Sequence, residues 1–144
     1  MHPARITLIV LILTQAALLL GAGFLRGQFL SGYDGIGHYV WIRSLVCDGD
    51  VDFKNDYRLY DPHGSGPDPD ILYPSTGKPY NHYSALPALL NATGFVLGQV
   101  VAVGGPEHWR KDGFGWAPQI GYALNNLAWF ALGLAGLYLF LAAQ

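Results

Sequence analysis

"ITLIVLILTQAALLLGAGFL", Ile6 to Leu25, decides how the rest of the chain is read. It runs twenty residues without a charge. At about 1.5 Å per residue that is roughly 30 Å of helix, the thickness of a bilayer's hydrocarbon core. Core helices of soluble proteins rarely carry more than ~15 uncharged residues in a row. A cleaved secretory signal is the competing reading, because Arg5 precedes the run and the small residues Gly21 to Gly23 lie near its end. A typical signal core is only about 7 to 15 residues, so the length favours a span.

Composition agrees. The 144 residues are enough for one structural unit. They are 51% apolar and only 12% charged, whereas about a quarter of the residues of a soluble domain are charged. The net charge of −2 offers no basic face, so nucleic acid is set aside as a partner. Cys47 is the single cysteine and can form neither an internal disulfide nor a cysteine metal cluster.

Two further uncharged runs follow, Tyr83 to Val103 and Tyr122 to Ala143. The expected fold is therefore an all-α integral membrane protein with three transmembrane helices, at 6–25, 83–103 and 122–143. Pro87 is expected to kink the second helix, and Gly94 with Gly98 forms a small-xxx-small pair suited to close helix packing. Asn91, Gln99, Asn125 and Asn126 are polar at membrane depth and need partners. The "NAT" sequon at Asn91 lies inside an apolar run and is disregarded as a glycan site. Arg110 and Lys111 place the 104–121 loop in the cytoplasm by the positive-inside bias, and Arg5 argues for the same side at the N-terminus. The 26–82 loop then faces outward.

That outer loop holds eight aspartates (34, 48, 50, 52, 56, 61, 68 and 70) against five bases, Arg26, Arg43, Lys54, Arg58 and Lys78. Burying the cluster from Asp48 to Asp56 in hydrocarbon would cost about 10 kcal/mol on an insertion scale, so these acids need water or a protein cavity. Apolar residues from Ile36 to Val46 recur at spacings near three and four. The pattern describes an amphipathic helix over about 35–47 at the membrane surface, with Asp34 as its N-cap and Tyr33, Tyr39 and Trp41 as interfacial aromatics. Asp34 also reads as a candidate general base or metal ligand, with His38 one turn on able to share either role.

The "DGDVDFKND" run (48–56) fails as an EF-hand loop, which needs Gly at position six and Glu at position twelve where Phe53 and Leu59 stand. A polar turn closing the helix explains the same residues. "DPHGSGPDPD", 61–70, is a flexible turn. Lys78, Asn81 and His82 gather at the start of the second apolar run, where a helix N-terminus and a cation suit a lipid phosphate. Headgroup anchoring by Lys78, Tyr80 and Tyr83 accounts for them equally. Arg43 and Arg58 are further phosphate candidates, each with aspartates nearby. Cys47 reads as packing.

In order along the chain, "YDGIGHYVWIRSLVCDGDVDFKNDY", "GKPYNHYSALPALL" and "DGFGWAPQIGYALNNLAWF" resemble the start of the GT-C membrane glycosyltransferases. The likeness is to the bacterial relatives of protein O-mannosyltransferases and aminoarabinose transferases. It implies a polytopic helical fold, a polyprenyl-phosphate-linked sugar donor, and a catalytic aspartate early in the first outer loop, a position that Asp34 matches. Gly35 follows Asp34 where protein mannosyltransferases have Glu. Such enzymes have about ten or more membrane helices, so an N-terminal fragment is expected.

The resulting expectation is a multi-pass protein of the inner membrane, N-terminus cytoplasmic, transferring sugar at the outer face. Asp34 and His38 are its catalytic residues, and Arg43, Arg58, Lys78, Asn81 and His82 bind substrate. Its partners are the lipid-linked donor and membrane lipids; a divalent cation is an open cofactor. Two alternatives stand beside it: a non-catalytic membrane subunit whose acidic loop binds a partner or a divalent cation, and a secreted acidic protein with a cleaved signal.

Overall fold

The computed structural model describes residues 3–27, 29, 30, 32–60 and 68–143. The expected turn at 61–70 therefore falls mostly outside the described residues, as does the side chain of Tyr33. Among the described residues the chain is all-helical: α1 Pro3–Arg26, α2 Gly32–Arg43, α3 Lys54–Tyr60, α4 Leu86–Leu90, α5 Ala92–Gly104 and α6 Trp116–Ala142. A π-helical turn, Ser44–Asp48, extends α2. One isolated antiparallel bridge joins Leu72 to Pro79.

Two helices are long and apolar enough to cross a membrane, α1 over Arg5–Arg26 and α6 over Trp116–Ala142. Their most apolar windows are 6% and 0% buried within the chain. A core helix of a soluble protein would be covered, so these faces are left for lipid or other protein. The helices run antiparallel. Gln15 and Leu19 share a cleft with Ala123, Asn126, Leu127 and Phe130. Just past the end of α1, the N–H groups of Phe29 and Leu30 donate to Gln119 near the start of α6.

The second expected span, 83–103, is not a single long helix. Pro87 sits in the first turn of α4, where its missing N–H costs nothing. The break falls instead at Asn91, whose Nδ2 donates to the Pro87 carbonyl at 2.8 Å. The α5 helix that follows has 13 residues, about 20 Å. It packs antiparallel against the first half of α6, backbone to backbone, through Gly94, Gly98 and Gly121; a Cβ on Gly94 would run into the Gly121 carbonyl. The polar residues of this run find partners inside the chain. Asn125 donates to the Leu90 carbonyl (2.8 Å) and the Asn91 side chain (3.1 Å), and Gln99 donates to the Lys111 carbonyl (2.6 Å).

The α2 helix is not an amphipathic surface helix. Ile36, Gly37, Tyr39, Val40, Ile42 and Arg43 are all buried, because α2 packs against α3, α4 and α5 together. Tyr39 is the hub. Its ring lies 5.3 Å from Phe95, 5.1 Å from Tyr122 and 5.9 Å from Phe114, and its hydroxyl donates to the Gly113 carbonyl.

These contacts bring together two segments that the sequence reading expects on opposite membrane faces. The 105–115 loop packs on the 26–82 segment: Arg43 Nε donates to the Asp112 carbonyl at 2.8 Å, and Tyr60 lies 5.9 Å from Phe114. Both segments belong to one packed unit at the end of the α1–α6 pair where α1 finishes and α6 starts.

Candidate functional site

Asp34 and His38 lie one turn apart on α2, and the fold puts both in the lining of one cavity of about 290 Å³. Leu19 of α1, Phe29, Leu30, Pro87 and Ala123 give it apolar walls; Asn91, Tyr122 and Asn126 add polar groups. Asp34 accepts a 2.6 Å hydrogen bond from the Tyr83 hydroxyl. His38 Nδ1 is 2.9 Å from the Ser84 carbonyl. A carbonyl can only accept, so that partner assigns the proton to Nδ1 and leaves Nε2 as the acceptor.

Tyr83 is held from several sides. Asn81 Oδ1 accepts its N–H at 3.0 Å, Trp41 Nε1 donates to its carbonyl at 2.9 Å, and its ring fills the space beside Gly37 that any Cβ would occupy. The ring stands 5.1 Å from His38 and 4.0 Å from His82. The sequence pattern alone presents Tyr83 as a headgroup anchor. It lies 49 residues from Asp34, and no local pattern signals that the two meet.

The other expected site residues divide. His82 is exposed and reaches this region through its stack on Tyr83. Asn81 is buried and structural, donating to the Gly37 carbonyl at 2.9 Å. Lys78 belongs to the 71–80 turn, whose Tyr73 N–H donates to the Lys78 carbonyl, and its charge acts on Asp50. Arg58 is exposed and shares Asp70 with Lys54, at 3.3 and 3.2 Å. None of Arg43, Arg58 and Lys78 lines the Asp34 cavity.

Arg43 explains the acidic cluster. It is 3% exposed and pairs with Asp48 and with Asp56, the latter at 2.9 Å. Asn55 also donates to Asp48, at 2.6 Å. Asp50 accepts from Ser44 Oγ (2.8 Å) and the Asp52 N–H (3.0 Å), and Asp52 accepts the Lys54 N–H at the start of α3. The "DGDVDFKND" run is thus a knot tied around one buried guanidinium. Arg43 is committed to it rather than turned toward a phosphate.

Burial pushes the Asp56 carboxyl up to about 6 against the opposing pull of Arg43, and its Oδ2 has no partner. Burial disfavours the Arg43 charge, but Asp56 and Asp48 outweigh it and raise the guanidinium above its ordinary value. Burial also pushes the Cys47 thiol up, which fits an unreactive packing residue. Among the described residues no three His, Cys, Asp or Glu side chains lie together as a metal-binding group.

No family model, curated protein or solved structure matches the chain. What the fold defines is an all-helical protein with two helices capable of crossing a bilayer and a helical unit packed at one end of them.

Proposed function

We propose that this chain carries the catalytic carboxylate of a membrane glycosyltransferase, which moves a sugar from a polyprenyl-phosphate-linked donor to an acceptor at the outer face of the inner membrane. One observation carries the reading. The two residues that sequence chemistry selects as acid–base groups, Asp34 and His38, share a cavity whose walls include α1 and α6, the two candidate spans. A lipid-linked donor presents its phosphate near the ends of such helices. Asp34 removes the acceptor's proton as the acceptor oxygen bonds to the sugar's anomeric carbon, and the bond from that carbon to the lipid phosphate breaks. Tyr83 holds the carboxylate, and Nε2 of His38 supplies a second acceptor.

The described lining contains no Lys or Arg. A divalent cation would find one carboxylate and otherwise neutral donors there, a thin set for a hard ion, so no step is routed through a metal. Arg5 favours a cytoplasmic N-terminus, which turns the 26–115 unit outward. Arg110 and Lys111 then lie in a segment well beyond the ~60 residues over which loop charges govern orientation. The alternative of an acidic loop serving as a cation or partner site is weakened, because Asp48, Asp50, Asp52 and Asp56 are bonded within the chain.

The test is transfer from a radiolabelled polyprenyl-phosphate sugar in membranes that contain the protein. Asp34→Asn should abolish transfer while leaving expression intact, and His38→Gln should reduce it. Unchanged turnover in Asp34→Asn would refute the role.

A further inference from the structure

A second hollow, of about 460 Å³, opens where α1 ends and α6 begins. Tyr60, Trp109, Phe114 and Trp116 wall it, and His108, Arg110 and Gln119 supply its polar side chains. Gln119 is 5% exposed and fixed in place: Oε1 accepts from Phe29 (2.8 Å) and Leu30 (3.3 Å), and Nε2 donates to the Phe114 carbonyl (2.8 Å). Trp109 and Trp116 meet edge to face at 4.8 Å. The described lining has no carboxylate, although acids outnumber Lys and Arg ten to eight in the whole chain. Asp112 binds Arg110 through Nε (3.2 Å) and Nη2 (2.7 Å), and so engages only part of a guanidinium with five N–H donors. Gly27 lines the hollow directly after Arg26, the basic last residue of α1.

We propose that this hollow binds the phosphate headgroup of an anionic membrane phospholipid. Both candidate spans end at its mouth, which sets it at headgroup depth. Paired tryptophans are the side chains that settle there, apolar on the body and polar at the N–H. Arg110 keeps N–H donors beyond the two that Asp112 engages, and one cation at the membrane surface contributes about 1 kcal/mol toward an anionic headgroup. The volume lies within the roughly 300 to 1,000 Å³ of small-molecule sites, room for a phosphate with its glycerol. The inference rests on α1 and α6 lying in a bilayer and does not depend on sugar transfer.

The experiment places the full chain in phosphatidylcholine nanodiscs doped with phosphatidylglycerol, and counts retained lipid by native mass spectrometry after mild detergent release. Wild type should retain phosphatidylglycerol over phosphatidylcholine. Arg110→Gln should lower that preference about fivefold, the equivalent of one interfacial cation. Trp109→Ala should weaken retention with helix content unchanged, which guards against misfolding of either variant. Lys54→Gln, which loses a pair with Asp70 outside the hollow, should behave as wild type. Equal retention of the two lipids, no loss in both hollow variants, or full displacement by excess inorganic phosphate would overturn the proposal.

Discussion

Replacing Arg43 by methionine tests the most buried electrostatic feature of the fold. The guanidinium joins the end of α2 to Asp48 just beyond it, to Asp56 in α3, and to the Asp112 carbonyl 69 residues away. Without it, Asp56 is left 0% exposed with neither carboxyl oxygen partnered by that guanidinium, whereas the Asp48 side chain is 22% exposed and can turn to water. Removing one member of a buried pair costs about 3 to 5 kcal/mol, a large part of the roughly 5 to 15 kcal/mol that holds a domain folded. At about 3 °C per kcal/mol for a chain of this size, the melting temperature should drop by about 10 °C. The double variant Arg43→Met, Asp56→Leu removes both charges and should recover most of that loss, since apolar replacement of a buried pair is often neutral. Thermal unfolding followed by far-ultraviolet circular dichroism in nanodiscs reads both. An unchanged melting temperature in the single variant, or a double variant no better than the single, would refute the knot.

Asp56 also sets a pH dependence. Its folded value of about 6 lies above its ordinary 3.8, so its stabilising contribution is complete below 3.8 and is lost as pH rises through 6. Roughly two pH units correspond to about 3 kcal/mol. Asp112 acts oppositely: burial raises it, but Arg110 and the Phe114 N–H outweigh that and hold it below 3.8, so its contribution disappears only in stronger acid. Melting temperature should therefore rise between pH 7 and about pH 5 in wild type and stay flat in Asp56→Asn; a fall in wild type contradicts the assignment. At the α5–α6 contact, Gly121→Ala drives a Cβ into the Gly94 backbone and should cost about 1 to 3 kcal/mol. Gly133→Ala meets nothing within 4 Å and should gain up to about 1 kcal/mol from helix propensity; equal effects at the two positions would contradict the packing.

Much of this architecture was legible in one dimension because it depends on unbroken composition. The uncharged run of α1 and the apolar length of α6 read directly as membrane-capable helices. Asp34 and His38 were legible as neighbours because four residues make one helical turn. The second apolar run misled, since its uncharged length continues through Asn91, where the backbone leaves helical geometry and separates α4 from α5. The α2 helix misled for another reason. Its apolar spacing suggested one buried face at a membrane surface, but partners arrive from three other helices and, among its described residues, leave only the stripe of Asp34, Gly35, His38 and Trp41 partly open. The aspartates near Arg43 were legible as its partners, but the Asp112 carbonyl 69 residues away was not, and for the same kind of reason Tyr83 read as a headgroup anchor rather than as the partner of Asp34.

The measurement that bears most directly on the fold is labelling of single cysteines at positions 54 and 111, with Cys47 replaced, by a membrane-impermeant maleimide in intact cells. Both positions belong to the unit at one end of the α1–α6 pair, so both should label, or both should stay protected until the membrane is opened. Labelling of one while the other requires permeabilisation would separate the two segments by a bilayer and contradict the packing of Arg43 on the 105–115 loop.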